Sequence, residues 1–385
     1  MLEENCLIVA GEKSGEEHAM SFLPDLMAKN PGLKLFGVGG DEMASVGVEL
    51  IYHLKDFSSW GVSEVIHKIP FYFNAADKLI EEVKKRKCKT AILIDFQTFN
   101  LKLSKKLKDL GVKVLYYVAP QAWAWKSWRV KPLSNNVHTL FTILPFEKKW
   151  FLNRGVNQVK SVPHPLYHHF KGKLGKHSLG LNGKPYETFE KNINLLCLPG
   201  SRNFEVKSLL SEFVKTIENF PKAKKAIVLS PSVNPDLYKP YLNYFDVIYK
   251  HDELSDALEW SHLAIAASGT VTLTCALFEV PTIVCYATSL LNEYIFHTFL
   301  DYKWYISLAN IVHDEMIFPE YVQEQATSYN ITVALKKWIQ DKKEYESVKT
   351  KLAKTKDLID GEIPNIGEFM ADIMTENREG RFEHR

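Results

Sequence analysis

An aspartate stands where an apolar run of the chain meets an aromatic turn. Asp95 follows the run Ala91–Ile94 and precedes Phe96-Gln97-Thr98-Phe99-Asn100. A carboxyl group at the end of a buried strand is partly desolvated, so its pKa rises and it becomes a better general base toward a hydroxyl group. The alternative is a carboxylate that only caps the following helix. The sequence predicts Asp95 as the catalytic candidate and leaves capping open.

A second polar turn, Gly11-Glu12-Lys13-Ser14-Gly15, follows the first apolar run of the chain. Glycines there allow the backbone to approach a ligand closely, and the N-terminus of the next helix offers free N–H groups to an anion or a polar hydroxyl. We predict Glu12, Ser14 and Gly15 as substrate-binding residues. A plain strand-to-helix turn capped by Ser14 is the alternative.

Two glycine-containing turns in the C-terminal half predict a phosphate site. The turn Pro199–Arg202 and the turn Ser268–Thr270 each follow an apolar run and lead into a helical pattern. A glycine turn, a hydroxyl group and an arginine at a helix start suit a diphosphate, and the pair is stronger evidence than either turn alone. No Walker lysine pattern occurs, which argues against a P-loop ATPase. The candidate substrate-binding residues are Gly200, Ser201, Arg202, Ser268, Gly269 and Thr270.

Short apolar runs alternate with amphipathic helical stretches along the chain, the pattern of parallel sheets with crossover helices. The predicted strands are 6–10, 33–38, 91–94, 112–118, 139–144, 161–162, 193–198, 226–229, 247–249, 264–267 and 282–286, and the main predicted helices are 16–29, 101–110 and 205–219. The fold class is therefore α/β, with two Rossmann-like doubly wound domains. Because such sheets bind ligands at the carboxyl ends of their strands, we expect the two domains to face each other across a cleft.

The length of 385 residues fits two domains. Residues 172–192 lose periodicity and collect Gly, Lys, His, Asn and Pro, which is typical of a linker. We predict an N-terminal domain over 1–172, a C-terminal nucleotide-binding domain over 193–335, and a helical extension and tail over 336–385.

The composition excludes several classes of protein. Hydrophobic residues make up 46% and charged residues 24%, and the net charge of +2 gives no global field for nucleic acid. The five cysteines form no CxxC pair, and four of them lie in apolar runs, so we expect these four to be core thiols in a reducing compartment and predict no metal site. The acidic start of the chain lacks the basic region of a signal peptide, and no run reaches the ~20 apolar residues of a membrane span. These features predict a cytoplasmic protein.

Aromatic residues are concentrated in three segments. The segment Tyr116–Trp128 holds three tryptophans and two tyrosines in thirteen residues, and the others are Phe71–Phe73 and Tyr294–Tyr305. Such segments can line a ligand site, hold acyl chains or lie at a bilayer surface, and ordinary core packing is the alternative. His164, between two prolines, is predicted as a turn residue whose direction the prolines fix.

Taken together and in order, the motifs resemble those of the lipid-A-disaccharide synthase family to about residue 340. They are AGEKSGE, FGVGGDEM, WGVSEV, LIDFQTFN, GVKVLYYVAPQAWAWK, ILPFEKKWF, HPL, LPGSR, AASGTVTL and SLAN. The resemblance implies a glycosyltransferase-B-like fold. It also implies transfer of a diacylglucosaminyl unit from UDP to a diacylated glucosamine 1-phosphate, with no cofactor. A peripheral position on the inner face of the inner membrane follows from the acylated substrates, and the oligomeric state is open.

By position, the resemblance makes Asp95 the base for the acceptor 6-hydroxyl and Arg202 the ligand of the UDP diphosphate. Glu12 and Asn310 fall on further motif positions that are expected to line the cleft. The chain departs from the family pattern at Thr98, where a second Asp is common, and at Thr274, where a Glu is usual. Another UDP-sugar transferase, a UDP-sugar epimerase and a catalytically lapsed nucleotide- or lipid-binding homologue are the alternatives.

Overall fold

The computed structural model describes residues 4–57, 69–124, 127–174, 192–287 and 305–379. The chain divides into two compact units, one of Met1–His168 with Ile359–Arg385 and the other of His169–Leu358. The first boundary lies close to residue 172, the predicted end of the N-terminal domain. The predicted C-terminal extension, 336–385, is divided at residue 359 between the two units. Most of the predicted linker lies outside the described residues.

The first unit is built on a seven-stranded parallel sheet of order β3-β2-β1-β4-β5-β6-β7. Its strands are β1 (Glu4–Ala10), β2 (Leu33–Gly39), β3 (Glu49–His53), β4 (Thr90–Ile94), β5 (Lys113–Tyr117), β6 (Thr139–Thr142) and β7 (Val159–Ser161). Its helices up to the unit boundary are α1 (Lys13–Met20), α2 (Leu23–Lys29), α3 (Asp41–Ser45), α4 (Leu54–Phe57), α5 (Ile69–Lys85), α6 (Gln97–Asp109), α7 (Val130–Asn136), α8 (Glu147–Leu152) and α9 (Pro165–Phe170), which crosses it.

The second unit has a six-stranded parallel sheet of order β10-β9-β8-β11-β12-β13. Its strands are β8 (Asn194–Leu198), β9 (Lys224–Leu229), β10 (Val247–Lys250), β11 (Leu263–Ala267), β12 (Thr282–Tyr286) and β13 (Glu320–Val322). Its helices are α10 (Asn203–Glu218), α11 (Leu254–Trp260), α12 (Thr270–Leu277), α13 (Leu308–His313), α14 (Ser328–Gln340), α15 (Lys342–Leu352) and α16 (Thr355–Leu358).

The central strands of both sheets are buried along their whole length. All five residues of β4, β8 and β11 are buried, as expected for parallel strands that are covered by helices on both faces. In each sheet the strand order reverses once, between β1 and β4 in the first and between β8 and β11 in the second. Such a reversal opens a crevice at the carboxyl ends of the two strands, which is where doubly wound sheets bind ligands.

The final helix, α17 (Ile366–Glu379), belongs to the first unit. It packs on α2, and Gly367 lies so close that a Cβ there would be 2.5 Å from the Phe22 carbonyl oxygen. Met370 and Met374 are fully buried in the same apolar cluster as Phe22. This apolar face explains why the end of the chain returns to the first unit.

All the predicted strands are present in the structure, and their ends differ from the predicted ones by a residue or two at most. The predicted helix 16–29 is wrong as a single element, since α1 ends at Met20 and α2 begins at Leu23. Pro24 lacks an N–H and sits in the first turn of α2, where that donor is not needed. The edge strands β3 and β13 were not predicted, and neither has a fully buried residue.

The five cysteines are buried and unpaired, which agrees with the prediction of four of them as core residues. Within the described residues, no helix has both the length and the apolar character that a bilayer crossing requires.

Candidate active site

The catalytic candidate Asp95 lies in a strained turn at the end of β4. Asp95 and Phe96 both have positive φ angles, 43° and 41°, which non-glycine residues rarely adopt. The Asp95 N–H donates to the Tyr117 carbonyl at 2.9 Å, and the Asp95 carbonyl accepts from Tyr116 Oη at 2.7 Å and Asn100 Nδ2 at 3.0 Å. These bonds fix the backbone, so the carboxyl group is held at the edge of the sheet.

Asp95 does not cap the helix after it. Helix α6 begins at Gln97 with Phe96 at its N-cap, and its N-cap makes no side-chain hydrogen bond. Asp95 is therefore not the N-cap residue of α6, and it is half-buried at the strand end.

Burial raises the pKa of Asp95 to about 6, and the negative charge of Glu12 contributes to the increase. A hydrogen bond from the Gln97 side chain and the positive charge of Arg129 act in the opposite direction. A pKa of about 6 lets the carboxylate predominate near neutral pH while its basicity exceeds that of an ordinary aspartate.

Glu12 and Asp95 lie on neighbouring strand ends, because β1 pairs with β4 in the register Ala10–Ile94. Glu12 is the N-cap of α1 but makes no capping hydrogen bond, and both Glu12 and Ser14 are exposed whereas Gly15 is buried. The alternative of a turn capped by Ser14 is thus not what the structure shows. The three predicted residues stand at the same sheet edge as Asp95.

Gly11 is required by the packing of this edge. A Cβ at Gly11 would lie 2.6 Å from the Phe96 ring, which covers the glycine. Phe96 in turn packs with Phe57, Tyr72 and Phe99 in an aromatic cluster. The first glycine turn therefore seats the Asp95 turn against the core.

Glu16 is a buried carboxylate of this edge that belongs to the AGEKSGE motif but was not predicted as a site residue. It accepts from the backbone N–H groups of Glu42 and Met43 at 3.0 and 3.1 Å and pairs with Lys13 at 3.0 Å. Burial opposes ionisation, but Lys13 and the two amides together lower the pKa of Glu16. Its side chain ties α1 to the start of α3, a contact between residues that are 26 and 27 positions apart, which a sequence motif does not reveal.

In the second unit, the turn after β8 presents an arginine to solvent. Gly200 has φ 116°, and the carboxylate of Glu205 folds back over it to accept from the N–H groups of Ser201 and Arg202 at 3.0 and 3.3 Å. Arg202 Nη1 donates to Glu205 Oε1 at 3.2 Å, yet the Arg202 side chain is 80% exposed. The turn thus combines an accessible guanidinium with amides that are occupied by an internal carboxylate.

The turn after β11 lies on the adjacent strand end, since β11 pairs with β8 in the register Ala266–Leu198. Gly269 is the N-cap of α12, and Gly269 and Thr270 are exposed, with open space where a Cβ of Gly269 would stand. Ser268 Oγ donates to the Ile306 carbonyl at 3.1 Å. The structure therefore brings the six predicted phosphate-binding residues to one switch point.

Asn310 is fully buried rather than exposed to a ligand. Its amide donates to the Phe318 carbonyl and to Glu320 Oε1, both at 2.8 Å, and its Oδ1 accepts from the Phe318 N–H at 2.9 Å. Glu320 also accepts from the N–H groups of Ile306 and Ser307 at 2.9 and 2.7 Å. Asn310 and Glu320 thus shape the same 306–307 turn that Ser268 contacts, and Glu320 is a second residue that sequence patterns missed.

The two departures from the family pattern have different settings. Thr98 is exposed on the first turn of α6, next to the Asp95 turn. Thr274 is buried in α12, and its hydroxyl donates to the Thr270 carbonyl at 3.5 Å. Thr274 therefore bonds its own helix.

The remaining motifs serve mainly as structure. In the segment Tyr116–Trp128, called the tryptophan segment below, Trp123 donates through Nε1 to the buried Glu147 at 2.9 Å, and Trp128 is exposed. His164 is buried, and burial lowers its pKa to about 3. Among the described residues, no His, Cys, Asp and Glu side chains form a group of three that could hold a metal ion.

Two parallel-sheet α/β units with polar turns at their switch points define the glycosyltransferase-B-like class of fold. Solved structures agree on the fold. The UDP-GlcNAc 2-epimerase from Neisseria meningitidis bound to UDP-GlcNAc is 12% identical, with a TM-score of 0.58 over 97% of this chain and 100% of that chain. The calicheamicin glycosyltransferase CalG4 is 11% identical, with a TM-score of 0.58 over 98% of both chains.

The sequence comparisons are more specific. The family model described as lipid-A-disaccharide synthetase matches residues 6–374. Lipid-A-disaccharide synthase 1 of Legionella pneumophila (strain Paris) is 32% identical over 91% of this chain and 92% of its own length. The lipid-A-disaccharide synthase of Myxococcus xanthus is 33% identical over 86% and 88%. The chain belongs to the lipid-A-disaccharide synthase family, and it is a hexosyltransferase.

Proposed function

We propose that this chain transfers a 2,3-diacylglucosaminyl unit from UDP to 2,3-diacylglucosamine 1-phosphate. The products are the β-1,6-linked disaccharide 1-phosphate and UDP. Family membership supports the reaction, and the observation that carries the chemistry is the half-buried Asp95 at the β1/β4 switch point, whose pKa is raised to about 6.

In this proposal Asp95 acts as the general base on the acceptor. Its carboxylate takes the proton of the acceptor 6-hydroxyl while that oxygen attacks the anomeric carbon of the donor. The bond between the anomeric carbon and the UDP oxygen breaks, and the electron pair leaves with UDP. Glu12, Ser14 and Gly15 are proposed to contact the acceptor, because they stand at the same sheet edge as Asp95.

The second unit is proposed to hold the UDP diphosphate. Arg202 offers an accessible guanidinium, and the exposed N-terminus of α12 at Gly269 and Thr270 offers backbone N–H groups. These groups would stabilise negative charge on the leaving diphosphate, which is the electrostatic part of the catalysis. For Asn310 we propose an indirect part, since its buried amide shapes the turn that contacts Ser268.

The direct test is release of UDP by the purified chain from UDP-diacylglucosamine in the presence of the monosaccharide phosphate. The deacylated donor, UDP-glucosamine, is assayed side by side. We expect turnover with the acylated donor and little with the deacylated one. Equal turnover of the two donors would contradict the diacyl specificity. A chain that binds UDP but produces none from the acylated donor would contradict the transferase proposal itself.

We further propose that the chain works at the inner face of the inner membrane, where acylated substrates reside. The segment Phe71–Phe73 supports this in part: Phe73 is 51% exposed beside Ile69, and Lys102 lies over its ring at 5.1 Å, whereas Phe71 and Tyr72 pack in the aromatic cluster. An apolar ring flanked by a cation suits a lipid headgroup region. Of the other predicted segment, Tyr294–Tyr305, all but Tyr305 lies outside the described residues.

Vesicle flotation tests this contact. We expect Phe73→Asp to weaken flotation with vesicles that contain anionic phospholipid. The matched control is Tyr329→Asp, which changes another exposed aromatic residue, in the second unit. Equal flotation of both variants and the parent chain would remove Phe73 from the membrane contact.

A further inference from the structure

Beside Asp95 lies a buried arginine that none of the recognised motifs requires. Arg129 follows the tryptophan segment, is only 2% exposed, and has its guanidinium 5.9 Å from the ring centre of Trp128. A buried guanidinium is costly unless its charge and its donors are matched, because it has lost its hydration. Its neighbours therefore indicate what it is for.

The neighbour that connects Arg129 to the candidate base is Gln97. Arg129 Nη1 donates to Gln97 Oε1, a contact across 32 residues of sequence. The Gln97 side chain, two residues from Asp95, also acts to lower the pKa of the Asp95 carboxyl group. Because an amide accepts only through its oxygen and donates only through its nitrogen, the bond to Arg129 leaves the NH₂ group of Gln97 as the one that can donate to Asp95.

We propose that Arg129 and Gln97 are positioning residues for Asp95, forming a relay from guanidinium to amide to carboxylate that holds the base ionised and oriented. This inference rests on the proposed function, in which Asp95 is the base. It gives Arg129 and Gln97, the first residue of α6, a role that neither the motifs nor the family comparison assigns to them.

The other charges around Asp95 show why such a relay is needed. Among the described residues, the titratable groups that act on Asp95 besides Arg129 are Glu12 and Tyr116. Glu12 repels the carboxylate, and burial also disfavours it, whereas Tyr116 is neutral at physiological pH and donates to the Asp95 carbonyl. Arg129 is thus the one cation in this set, and it opposes both effects.

The relay predicts a specific change in the pH profile. Removing the charge of Arg129 should move the acid-limb midpoint of kcat/KM upward by about one pH unit, the lower end of what an adjacent opposite charge contributes. From a midpoint near 6, activity would then fall about fivefold at pH 6 and change little at pH 8.5. A residue with only a structural role would lower activity at every pH and leave the midpoint in place.

The experiment measures UDP release against pH for the parent chain, R129M, R129K and Q97M. We expect the acid-limb midpoint to move upward in R129M and in Q97M, since Q97M has no side-chain NH₂ group to donate to Asp95. In R129K the midpoint should move by at most half as much. The matched control is R154M, since Arg154 is an exposed arginine of the same unit that lies 3.9 Å over the Trp150 ring. Its midpoint should not move.

Unmoved midpoints in both R129M and Q97M would overturn the relay, and so would an R129K shift as large as that of R129M. Gln97 is half-exposed, so Q97M provides the test if R129M does not fold. If the parent chain releases no UDP, the proposed function fails instead, and the relay is then tested by the ¹³C carboxyl titration of Asp95, assigned by its loss in D95N. A titration midpoint that is equal in the parent chain and Q97M would overturn the relay there.

Discussion

The end of β4 and the end of β8 lie on opposite sides of the strand-order reversal in their sheets, and they carry side chains of opposite charge. Each strand borders the point where the strand order reverses. At β4 the chain places a half-buried carboxyl group on strained backbone and raises its pKa to about 6. At β8 it places an 80% exposed guanidinium after a glycine with φ 116°.

The difference follows from what each end must do in the proposed reaction. A general base gains from partial burial, which strengthens its affinity for a proton. A diphosphate site gains from accessible cations and amides, because the ligand brings its own charge. One topology therefore supports proton transfer at one switch point and anion binding at the other, and the local residues decide which.

The largest effect should come from removing the base. D95N keeps the size of the side chain but cannot accept the proton, so we expect turnover to fall by about 10²- to 10⁴-fold. UDP affinity, measured by calorimetry, should stay within about twofold, since the proposed diphosphate residues lie in the other unit. The control is D109N, which changes an exposed aspartate that pairs with Lys105 on α6. Turnover of D95N near that of the control would exclude Asp95 as the base.

A second carboxyl group shows that a raised pKa alone does not mark a base. Glu147 is fully buried, which raises its pKa to about 7, but its oxygens accept from Trp123 Nε1 and from the N–H groups of Ile143 and Leu144. Its acceptor positions are filled by the fold, whereas the Asp95 carboxyl group is half-buried at a strand end beside Gln97. We therefore assign Glu147 to stability.

The pH dependence of stability tests that assignment. Between pH 4.5 and about 7, the folded chain holds a proton on Glu147 that the unfolded chain has released. The free energy of unfolding must therefore fall as the pH rises through that window, by roughly 1.4 kcal/mol for each pH unit and on the order of 3 kcal/mol in all. Urea unfolding at pH 5 and 8 should show this loss in the parent chain relative to E147Q. If the free energies of unfolding of the parent chain and E147Q differ by the same amount at pH 5 and at pH 8, the predicted pH dependence is contradicted.

At the other switch point, R202A should weaken UDP binding by about 1.5–3 kcal/mol, the range for a hydrogen bond to a charged group. Titration calorimetry with UDP gives the value directly. K207A, which removes an exposed cation from the same helix α10, is the matched control and should have a smaller effect. Equal UDP affinity in R202A and the parent chain would remove Arg202 from the donor site.

The sequence predicted most of this architecture because its strands are uninterrupted apolar runs that end at glycine or at a polar residue. Asp95 and Arg202 could be chosen as candidates because Asp95 directly follows such a run and Arg202 lies in the glycine turn after one. Residues whose role depends on distant partners were not. Arg129 meets Gln97 across 32 residues and Lys148 pairs with Glu362 across 214, and neither spacing has a periodic signal.

Two further features could not be predicted from the sequence, each for a physical reason. Asn310 was predicted to line the ligand site, but its amide satisfies the backbone of Phe318 instead, which no pattern of residue types distinguishes. The end of the chain was predicted as one extension, whereas the apolar face of α17 packs on α2 in the first unit. Periodicity shows that a helix has an apolar face but not which surface covers it.

The smallest and sharpest effect concerns Glu205, whose carboxylate lies on the amides of Ser201 and Arg202. If the turn after β8 binds anions, the Glu205 carboxylate competes with the diphosphate for the Arg202 guanidinium and the two N–H groups. E205Q keeps an oxygen for the amides but removes the negative charge, so we expect UDP to bind about two- to fivefold tighter, the scale of an exposed ion pair. Tighter binding that disappears in about 0.5 M salt would confirm an electrostatic cause. Weaker binding would instead mean that Glu205 holds Arg202 in the orientation that the diphosphate needs, and the β8 end would then resemble the β4 end in relying on a positioning residue.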